Sequence, residues 1–428
     1  MHEPDFVDEC YADKDLSLLK KLTLVIPTYN RNYYLSRCLW YHAHFPFGEI
    51  IVADSSPEEK KVVNRETVAK VREMFGANVR YLEYEPETEK YGGDIYRKWG
   101  DAVQHVETEY SQIVTDKEFL LPEVVPECID YLDKNPDFVS IGGKKYSLCA
   151  KYKNIYSTNE RDYHLIPRKP NRTSELSDTI LDRYSNAFLK TTGWDKNILL
   201  TIYRSKQHKY IYNLLDQYAI SDLRYSELVC AYAGYLFGKF KYINDNIYKV
   251  RDIIIFNNEG GQIVGKKSSE SSNTRYPYLS DYAQIPDGVI FYERLMICCT
   301  SQLIQFTSLS ELKVEYLLRK YVTPAFLVNY DSGRPSFVRS VLNKFPNLSL
   351  LWKNMPMSLK KIGGYLIQKL FGISVAVGEN IDCSYNQSIN IVCQIILNSL
   401  SLSKSDSTII TREILFATDN WRHKVLHE

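Results

Sequence analysis

The chain has 428 residues and a mass of 49.8 kDa, which at roughly 100–200 residues per domain predicts about two or three structural units. Hydrophobic residues make up 44% and charged residues 25%, as in ordinary globular proteins. The formal net charge of +1 excludes a global electrostatic attraction to nucleic acid or anionic lipid. Any anion that the protein binds must therefore be recognised by a local site.

The cysteines and the N-terminal segment bear on the compartment. The nine cysteines are scattered and form no CxxC pair, which predicts reduced thiols rather than a disulfide framework. The segment MHEPDFVDECYADKD is acidic and has no apolar stretch, so no signal peptide is expected. No part of the sequence approaches the ~18 uninterrupted apolar residues of a spanning helix. We therefore predict a cytoplasmic protein, with peripheral contact at the inner face of the membrane as the only membrane association left open.

The first part of the chain alternates predicted strands and helices. Short apolar runs at Leu22–Pro27, Ile50–Ala53 and Val79–Tyr84 predict buried strands. A segment of helical periodicity separates the first two strands, and a charged helix at Glu58–Phe75 separates the second and third. This β-α-β-α-β pattern predicts an α/β fold, with a mostly parallel sheet flanked by helices.

The rest of the chain divides by composition. Strands are predicted at Phe138–Gly142 and Lys239–Val250, and residues 173–235 between them are predicted to be largely helical. A stretch rich in Gly, Ser, Lys and Asn predicts a linker or mobile loop, and helical periodicity dominates after it. The predicted units are an N-terminal extension at 1–20, an α/β domain at 21–256, the linker at 257–284 and a helical C-terminal domain at 285–428.

Three polar clusters directly follow predicted strands. Because ligands of open parallel sheets bind outside the carboxyl ends of the strands, these clusters are expected to converge on one crevice. Ordinary turn chemistry is the alternative for any one of them alone. The clusters are Pro27, Thr28, Tyr29, Asn30 and Arg31 after the first strand, Asp54, Ser55 and Ser56 after the second, and Asp116, Lys117 and Glu118 after a strand at Ser111–Val114.

Asp116 and Glu118 form a candidate metal site. In an extended segment, residues two apart point to one side, so both carboxylates are expected to face one divalent cation while Lys117 points away. Mg²⁺ and Mn²⁺ prefer such oxygen ligands and keep positions for phosphate oxygens. A solvated turn, in which these three residue types are common, is the alternative.

The segments LTLVIPTYNRNYYLSRCL, IIVADSS and YSQIVTDKEFLLPEVVPECIDYLDKNPDF follow one another as in a known enzyme family. Their order and spacing resemble family 2-like glycosyltransferases of the GT-A fold, in particular bacterial members that build surface polysaccharides. The resemblance is clear over residues 20–145. It implies that Asp116 and Glu118 stand at the DxD positions, which hold Mn²⁺ or Mg²⁺ and the donor diphosphate. A typical member has DDDFLLP where this chain has DKEFLLP, so the last carboxylate is one methylene longer.

The resemblance also implies the remaining site residues. The nucleotide would be bordered by Pro27, Thr28, Tyr29, Asn30 and Arg31, and Asp54 would accept hydrogen bonds from the base. Basic residues near the donor phosphates would be Lys98 and Arg251. The general base of the family lies on a helix before a Gly-Lys turn, which points to Glu227, with Asp222 as the second choice.

These implications favour an inverting glycosyltransferase that moves a sugar from a nucleotide-sugar donor to a glycan or lipid-linked acceptor in surface polysaccharide synthesis. The alternative is a non-catalytic nucleotide- or carbohydrate-binding protein of the same fold, which the Lys inside DKE and the Glu in place of Asp favour. A nucleotidyltransferase also pairs carboxylates on an α/β sheet. It would need a basic, Gly-rich loop after the first strand, and PTYNRN is not such a loop.

Overall fold

The computed structural model describes residues 11, 14–86, 95–152, 161–167, 174–186, 196–220, 223–252, 255–256, 286–314 and 318. Within them, the strands are β1 Leu22–Thr28, β2 Glu49–Asp54, β3 Val79–Glu83, β4 Tyr110–Ile113, β5 Glu118–Leu120, β6 Phe138–Tyr152, β7 Arg161–Pro167, β8 Ile202–Arg204, β9 Lys239–Asp252 and β10 Ile255–Phe256. The α-helices are α1 Asn32–Ala43, α2 Glu58–Phe75, α3 Ile95–Gln104, α4 Val125–Lys134, α5 Ile180–Ser185, α6 Ser205–Gln217, α7 Leu223–Phe237 and α8 Pro286–Phe306.

The described strands form one sheet whose two halves differ in direction. The order is β3-β2-β1-β4-β8-β6-β9-β5, with β7 and β10 paired to β6. The first half is parallel, since β1 pairs in parallel with both β2 and β4, and β2 with β3. The second half is mixed, because β8 is antiparallel to its neighbours while β6 and β9 are parallel to each other. The predicted α/β class is confirmed, and the parallel arrangement holds for the half that the sequence defines best.

The sheet curls, because the edge that ends in β5 returns to the helix that follows β1. Strand β5 stands at the far end of the strand order from β3, paired only with β9. Yet Tyr41 of α1, the helix that follows β1, donates a hydrogen bond to the carbonyl of Leu120 in β5 over 2.7 Å. The curl therefore brings the β5–β9 edge back against the carboxyl end of β1.

Alternating residues of β1 and β2 supply two hydrophobic cores, one on each face of the sheet. Leu24 and Ile26 pack into the core that includes α1 and α4, whereas Val25 packs into the core that includes α3, α6 and α7. In a strand, successive side chains point to opposite faces of the sheet, so a strand whose residues are all buried is covered on both faces. All seven residues of β1 are buried. This double burial fixes the positions of the strand ends that carry the polar clusters.

Helix α8 adds to the second core. Its residues Leu295, Cys298 and Leu303 are buried in the same cluster as the apolar residues of α6 and α7. Arg294 also donates to the carbonyl of Ala219 over 2.8 Å. Among the described helices, none, including the 21-residue α8, is long and apolar enough to cross a membrane.

The structure extends and corrects the sequence-based elements. The strands predicted at Leu22–Pro27 and Ile50–Ala53 are confirmed to within one residue at each end. The predicted helical segment 173–235 is wrong at β8, a three-residue strand whose pairing with β4 and β6 overrides the local pattern. The predicted linker at 257–284 lies outside the described residues, and the predicted domain boundaries stay predictions.

Two buried histidines make the stability of this fold depend on pH. Burial lowers the pKa of His42 to about 4, against a smaller upward effect of its hydrogen bond with the Cys38 carbonyl. Burial also lowers the pKa of His208 to about 3. The unfolded chain therefore binds more protons than the native protein below pH ~6.5, and stability falls as the pH drops from there towards the native pKa values.

We expect each histidine to make the protein about 2 kcal/mol less stable at pH 5 than at pH 7. The change to test is His208→Gln, which removes the titrating ring and keeps a polar partner for Ser111, now 2.8 Å from the histidine. Urea unfolding at the two pH values measures the effect. The two histidines together contribute to the difference in stability between pH 5 and pH 7, and the variant should lose about half of that contribution. An unchanged difference would show that His208 does not titrate on unfolding.

Candidate active site

The loop after β1 is held against the end of β2. The backbone of Asn30 has a φ of 52°, in the left-handed region that asparagine tolerates better than most residues. Its amide donates to the hydroxyl of Ser56 over 2.8 Å. Pro27 is buried in β1, whereas Tyr29 is 37% exposed at the loop. The loop thus presents an aromatic side chain to solvent from a fixed backbone.

Asp54 organises the end of β2. The carboxylate is buried and accepts hydrogen bonds from the Ser56 amide at 2.7 Å and from the Asn64 side chain at 2.6 Å. The hydroxyl of Tyr81 in β3 also donates to it. In this arrangement Asp54 orients the loop that follows it, and its predicted contact with a nucleotide base stays a prediction.

Lys98 joins the ends of β1 and β2. It extends from α3, and its side chain is buried. The Nζ atom donates to the carbonyl oxygen of Thr28 at 3.0 Å and to the hydroxyl of Ser55 at 2.8 Å. A buried ammonium group is stable only when its protons are hydrogen-bonded, so these contacts hold the two strand ends at a fixed separation.

Asp116 is the residue at which the first and third clusters meet. Its carboxylate accepts a hydrogen bond from the Thr28 hydroxyl at 3.2 Å and from Nη1 of Arg31 at 3.3 Å. The Asp116 side chain is 2% exposed, while that of Arg31 is 51% exposed. The ion pair therefore has its carboxylate inside the protein and its guanidinium at the surface. These contacts, with the bond from Asn30 to Ser56, show that the three clusters lie together; that they line a ligand crevice stays a prediction.

The segment around Asp116 is a turn, and the expectation of an extended segment is wrong. The amide of Glu118 donates to the carbonyl of Thr115 over 2.8 Å, which closes the turn. Nζ of Lys117 lies 4.3 Å from the centre of the Tyr34 ring, and the predicted direction of this side chain away from a metal stays a prediction. Because a turn does not alternate as a strand does, Asp116 and Glu118 do not point to one side.

Helix α1 fixes this turn from beneath. The amide of Leu120 donates to Nε2 of His42 over 3.3 Å, and Nδ1 of the same ring lies 2.8 Å from the Cys38 carbonyl. The depressed pKa of His42 keeps the ring neutral at pH 7, so it donates through Nδ1 and accepts through Nε2. The thiol of Cys38 reaches the Glu118 carbonyl at 3.7 Å. His42 is fully buried, and its ring holds the backbone of β5.

Glu118 faces the strand β9. Its Oε2 accepts a hydrogen bond from Nζ of Lys249 at 2.7 Å, and the two side chains are 2% and 1% exposed. Arg251 stands directly opposite Glu118 in the antiparallel register. Burial by itself raises the pKa of Glu118, but the positive charges of Lys249, Lys145 and Arg251 outweigh it and lower the pKa to about 2. Glu118 is therefore ionised and already compensated by the chain's own cations.

The arrangement does not fit a divalent cation held jointly by Asp116 and Glu118. Asp116 bonds to Thr28 and Arg31, whereas Glu118 bonds to Lys249. Within the described part of the chain, no group of three or more His, Cys, Asp or Glu side chains is placed to hold a metal ion. A cation at Oε2 of Glu118 would compete with the ammonium group of Lys249.

Lys249 and Lys145 were not among the site residues predicted from the sequence. Lys249 and Arg251 are two apart in β9, so they point to the same face of the strand, and Lys145 is paired with Lys249 across β6. Lys249 and Arg251 both lie in KYINDNIYKVR, and their spacing of two in a predicted strand indicated a basic pair on one face. The carboxylate partner was hidden, because Glu118 lies 131 residues earlier in the chain.

Of the two candidates for the general base, only Glu227 lies among the described residues. Glu227 lies on α7 and is half-buried. Burial raises the pKa of Cys230, one turn further along α7, and the nearby Glu227 raises it further. Asp222 lies outside the described residues. The catalytic role of either residue stays a prediction.

No family model matches the sequence, and no curated protein matches it. Among solved structures, the chain is similar to S. aureus TarS at 17% identity and a TM-score of 0.42, over 73% of this chain and 44% of that chain. This chain therefore aligns with less than half of that TarS chain. TarS 1-349 in complex with UDP-GlcNAc aligns at 13% identity and a TM-score of 0.41, over 94% of this chain and 91% of that chain.

A mannosyltransferase from Pyrobaculum calidifontis, PcManGT in complex with GDP-Man and Mn²⁺, aligns at 13% identity and a TM-score of 0.34, over 82% of this chain and 86% of that chain. All of these TM-scores are below 0.5. The function proposed below is therefore argued from the residues of the crevice.

The hydrogen bonds by which Lys98 joins the ends of β1 and β2 can be tested by comparing a Lys98 variant with a variant of Arg97, its neighbour on α3. Lys98→Met removes a buried donor and leaves the Thr28 carbonyl and the Ser55 hydroxyl without it, which should cost about 2–4 kcal/mol of stability. The matched control is Arg97→Met, because Arg97 makes a solvent-exposed ion pair with Asp216 that should contribute less than about 1 kcal/mol. Urea unfolding measures both variants. Equal losses would remove the bridging role.

Proposed function

We propose that the protein is a glycosyltransferase that takes a sugar from a nucleotide-sugar donor bound in the crevice at the carboxyl ends of β1 and β2. The observation that carries this proposal is the contact of the Asp116 carboxylate with both Thr28 and Arg31. It unites the loop after the first strand with the DKE segment, the two segments on which the resemblance to GT-A glycosyltransferases chiefly depends.

The donor nucleotide would lie along the loop after β1. Tyr29 offers an exposed ring on which a base or a sugar can stack, and Arg31 offers a half-exposed guanidinium at the mouth of the crevice. Lys98 and Asp54 are buried beneath this loop, so they support the nucleotide site by holding the strand ends. The solved structures that align with this chain include complexes with UDP-GlcNAc and GDP-Man, which makes UDP and GDP the first nucleotides to test.

The leaving nucleoside diphosphate develops negative charge as its bond to the sugar breaks. Fixed positive groups that face this charge stabilise the transition state without reorganisation. Arg251, at the β5–β9 edge, and Arg31, at the crevice mouth, are the cations that the structure offers for this purpose. No step of the mechanism is assigned to a divalent cation, because Glu118 bonds to Lys249.

The transfer itself would proceed with inversion. The acceptor hydroxyl forms a bond to the anomeric carbon while the bond from that carbon to the diphosphate oxygen breaks. A sugar hydroxyl ionises far above neutral pH, so a carboxylate must take its proton as the new bond forms. Glu227 is our candidate for this base, with Asp222 as the second. The acceptor would be a glycan or a lipid-linked glycan of surface polysaccharide synthesis, reached from the cytoplasmic side.

A non-catalytic nucleotide-binding protein is the competing proposal. The Lys inside DKE and the Glu in place of Asp favour it, but Lys117 lies over the Tyr34 ring and leaves the Asp116 carboxylate to Thr28 and Arg31. The lysine therefore does not block the crevice. Binding of a nucleoside diphosphate without turnover of any nucleotide sugar would support the non-catalytic protein.

Asp116→Asn should lower the rate of sugar transfer by a factor on the order of 10²–10³, since it removes the charge that positions Arg31 beside Thr28. The measurement is nucleoside diphosphate release from a panel of nucleotide sugars. The matched control is Asp130→Asn on α4, because Asp130 forms a partly exposed ion pair with Lys134 and should leave release unchanged. Normal turnover in Asp116→Asn would exclude a role of this carboxylate in catalysis.

Glu227→Gln should leave the dissociation constant of the nucleoside diphosphate unchanged and lower transfer by a factor on the order of 10²–10⁴, because the amide cannot accept the acceptor's proton. Calorimetry and the release assay separate the two effects. Asp222→Asn is the companion variant. If Glu227→Gln transfers sugar at the normal rate and Asp222→Asn does not, the base is Asp222.

A further inference from the structure

We propose that Lys249 occupies, as a built-in cation, the place beside Glu118 that a divalent metal would take, so that the donor diphosphate binds through Arg251 without a divalent cation. This inference rests on the proposed function and deepens it, since it concerns how the same crevice compensates the charge of its donor.

The first observation is the placement of the Lys249 ammonium group. Nζ donates to Oε2 of Glu118 at 2.7 Å and to the carbonyl of Leu200 at 3.0 Å. Both charged side chains are almost entirely buried, at 1% and 2% exposure. Lys249 therefore sits at a position set by two hydrogen bonds, and it neutralises the carboxylate that stands at the last DxD position.

The ammonium group of Lys249 also disfavours a further cation at the Glu118 carboxylate. Divalent Mg²⁺ binds carboxylate oxygens at about 2.1 Å, so an ion on Oε2 would lie within about 5 Å of the ammonium group. Two positive charges at that distance in a buried site repel each other strongly. A metal on Oε2 would face this repulsion unless Lys249 withdrew, and the bond to Leu200 opposes that movement.

The third observation is Arg251. It stands opposite Glu118 in the register of β5 and β9, yet the Glu118 oxygen Oε2 already accepts from Lys249. Among the described residues, the Nε of Arg251 is buried and has no hydrogen-bond partner. Arg251 as a whole is half-buried, so the residue is not closed off from solvent. Arginine donors match phosphate oxygens in pairs, which suits a diphosphate.

A structural role alone accounts poorly for this pair. Buried ion pairs are often no more stable than well-packed apolar residues of the same volume, so the fold does not require one here. Glu118 follows Asp116 by two residues, at the end of the turn that also carries the Asp116 carboxylate. The buried pair is neutral as a whole, which leaves the charge of Arg251, opposite Glu118, for the ligand.

The test is calorimetric titration of the full chain with UDP and with GDP, each in EDTA and in Mn²⁺. We expect the tighter nucleotide to bind with dissociation constants that agree within about threefold in the two conditions, well below the tenfold that corresponds to 1.4 kcal/mol. Binding that is at least about tenfold tighter in Mn²⁺ would overturn the inference while leaving the proposed function standing. No binding of either nucleotide in either condition would remove the proposed function, and the inference with it.

Two variants make the test specific to Lys249. Lys249→Met should weaken nucleotide binding in EDTA by at least about tenfold, and Mn²⁺ should restore it, because Glu118 is then available as a ligand. The Glu118→Gln/Lys249→Met double variant carries no buried charge at this place, so it stays measurable even where the single variant does not fold. It should bind as weakly as the single variant does in EDTA, with no recovery in Mn²⁺.

The control and a second measurement complete the design. Lys241→Met changes another lysine of β9, one that lies 5.2 Å from the centre of the Tyr131 ring, and should leave nucleotide binding unaltered. Electron paramagnetic resonance of Mn²⁺ with the protein alone should show binding to Lys249→Met and none to the wild type. Mn²⁺ binding to the wild type that the Glu118→Gln change abolishes would refute the inference.

Discussion

The hydrogen-bonded turn from Thr115 to Glu118 is the constraint on which the crevice depends. It connects β4 of the parallel half of the sheet to β5 at the edge of the mixed half. By reversing the chain there, it directs one carboxylate to the loop after β1 and the other to the cations of β9. Two acidic residues that are two apart in sequence thus lie in two different electrostatic environments, and each carboxylate pairs with a cation of this chain.

The hydrogen bonds that hold this turn against α1 come from uncharged side chains. His42 is neutral and uses both ring nitrogens, and Tyr41 of the same helix bonds the carbonyl of Leu120. Buried polar groups without partners are costly, so each of these bonds resists displacement of β5 from α1. The rigidity of the crevice on this side therefore comes from the helix that follows β1, the same element that begins beside Arg31.

Much of this arrangement could be predicted from the sequence, because it follows from short-range pattern. Apolar runs locate β1 and β2, and polar residues at their carboxyl ends locate the crevice that Thr28 and Asp116 share. The two carboxylates of DKE were harder to predict correctly. Their directions depend on a turn, which the rule for extended residues does not describe, and on Lys249, a partner 131 residues away that only the curl of the sheet brings to Glu118.

Helix α8 bears on where the folding unit ends. Its buried face shares a hydrophobic cluster with α6 and α7, and the ring of Phe306 packs edge-on against Phe237 at 5.4 Å. A polypeptide stopped shortly after β10 would leave the apolar surface of α7 open to water and prone to self-association. Fragments made for crystallisation or assay should therefore retain the chain through at least Leu318, the last described residue of that cluster.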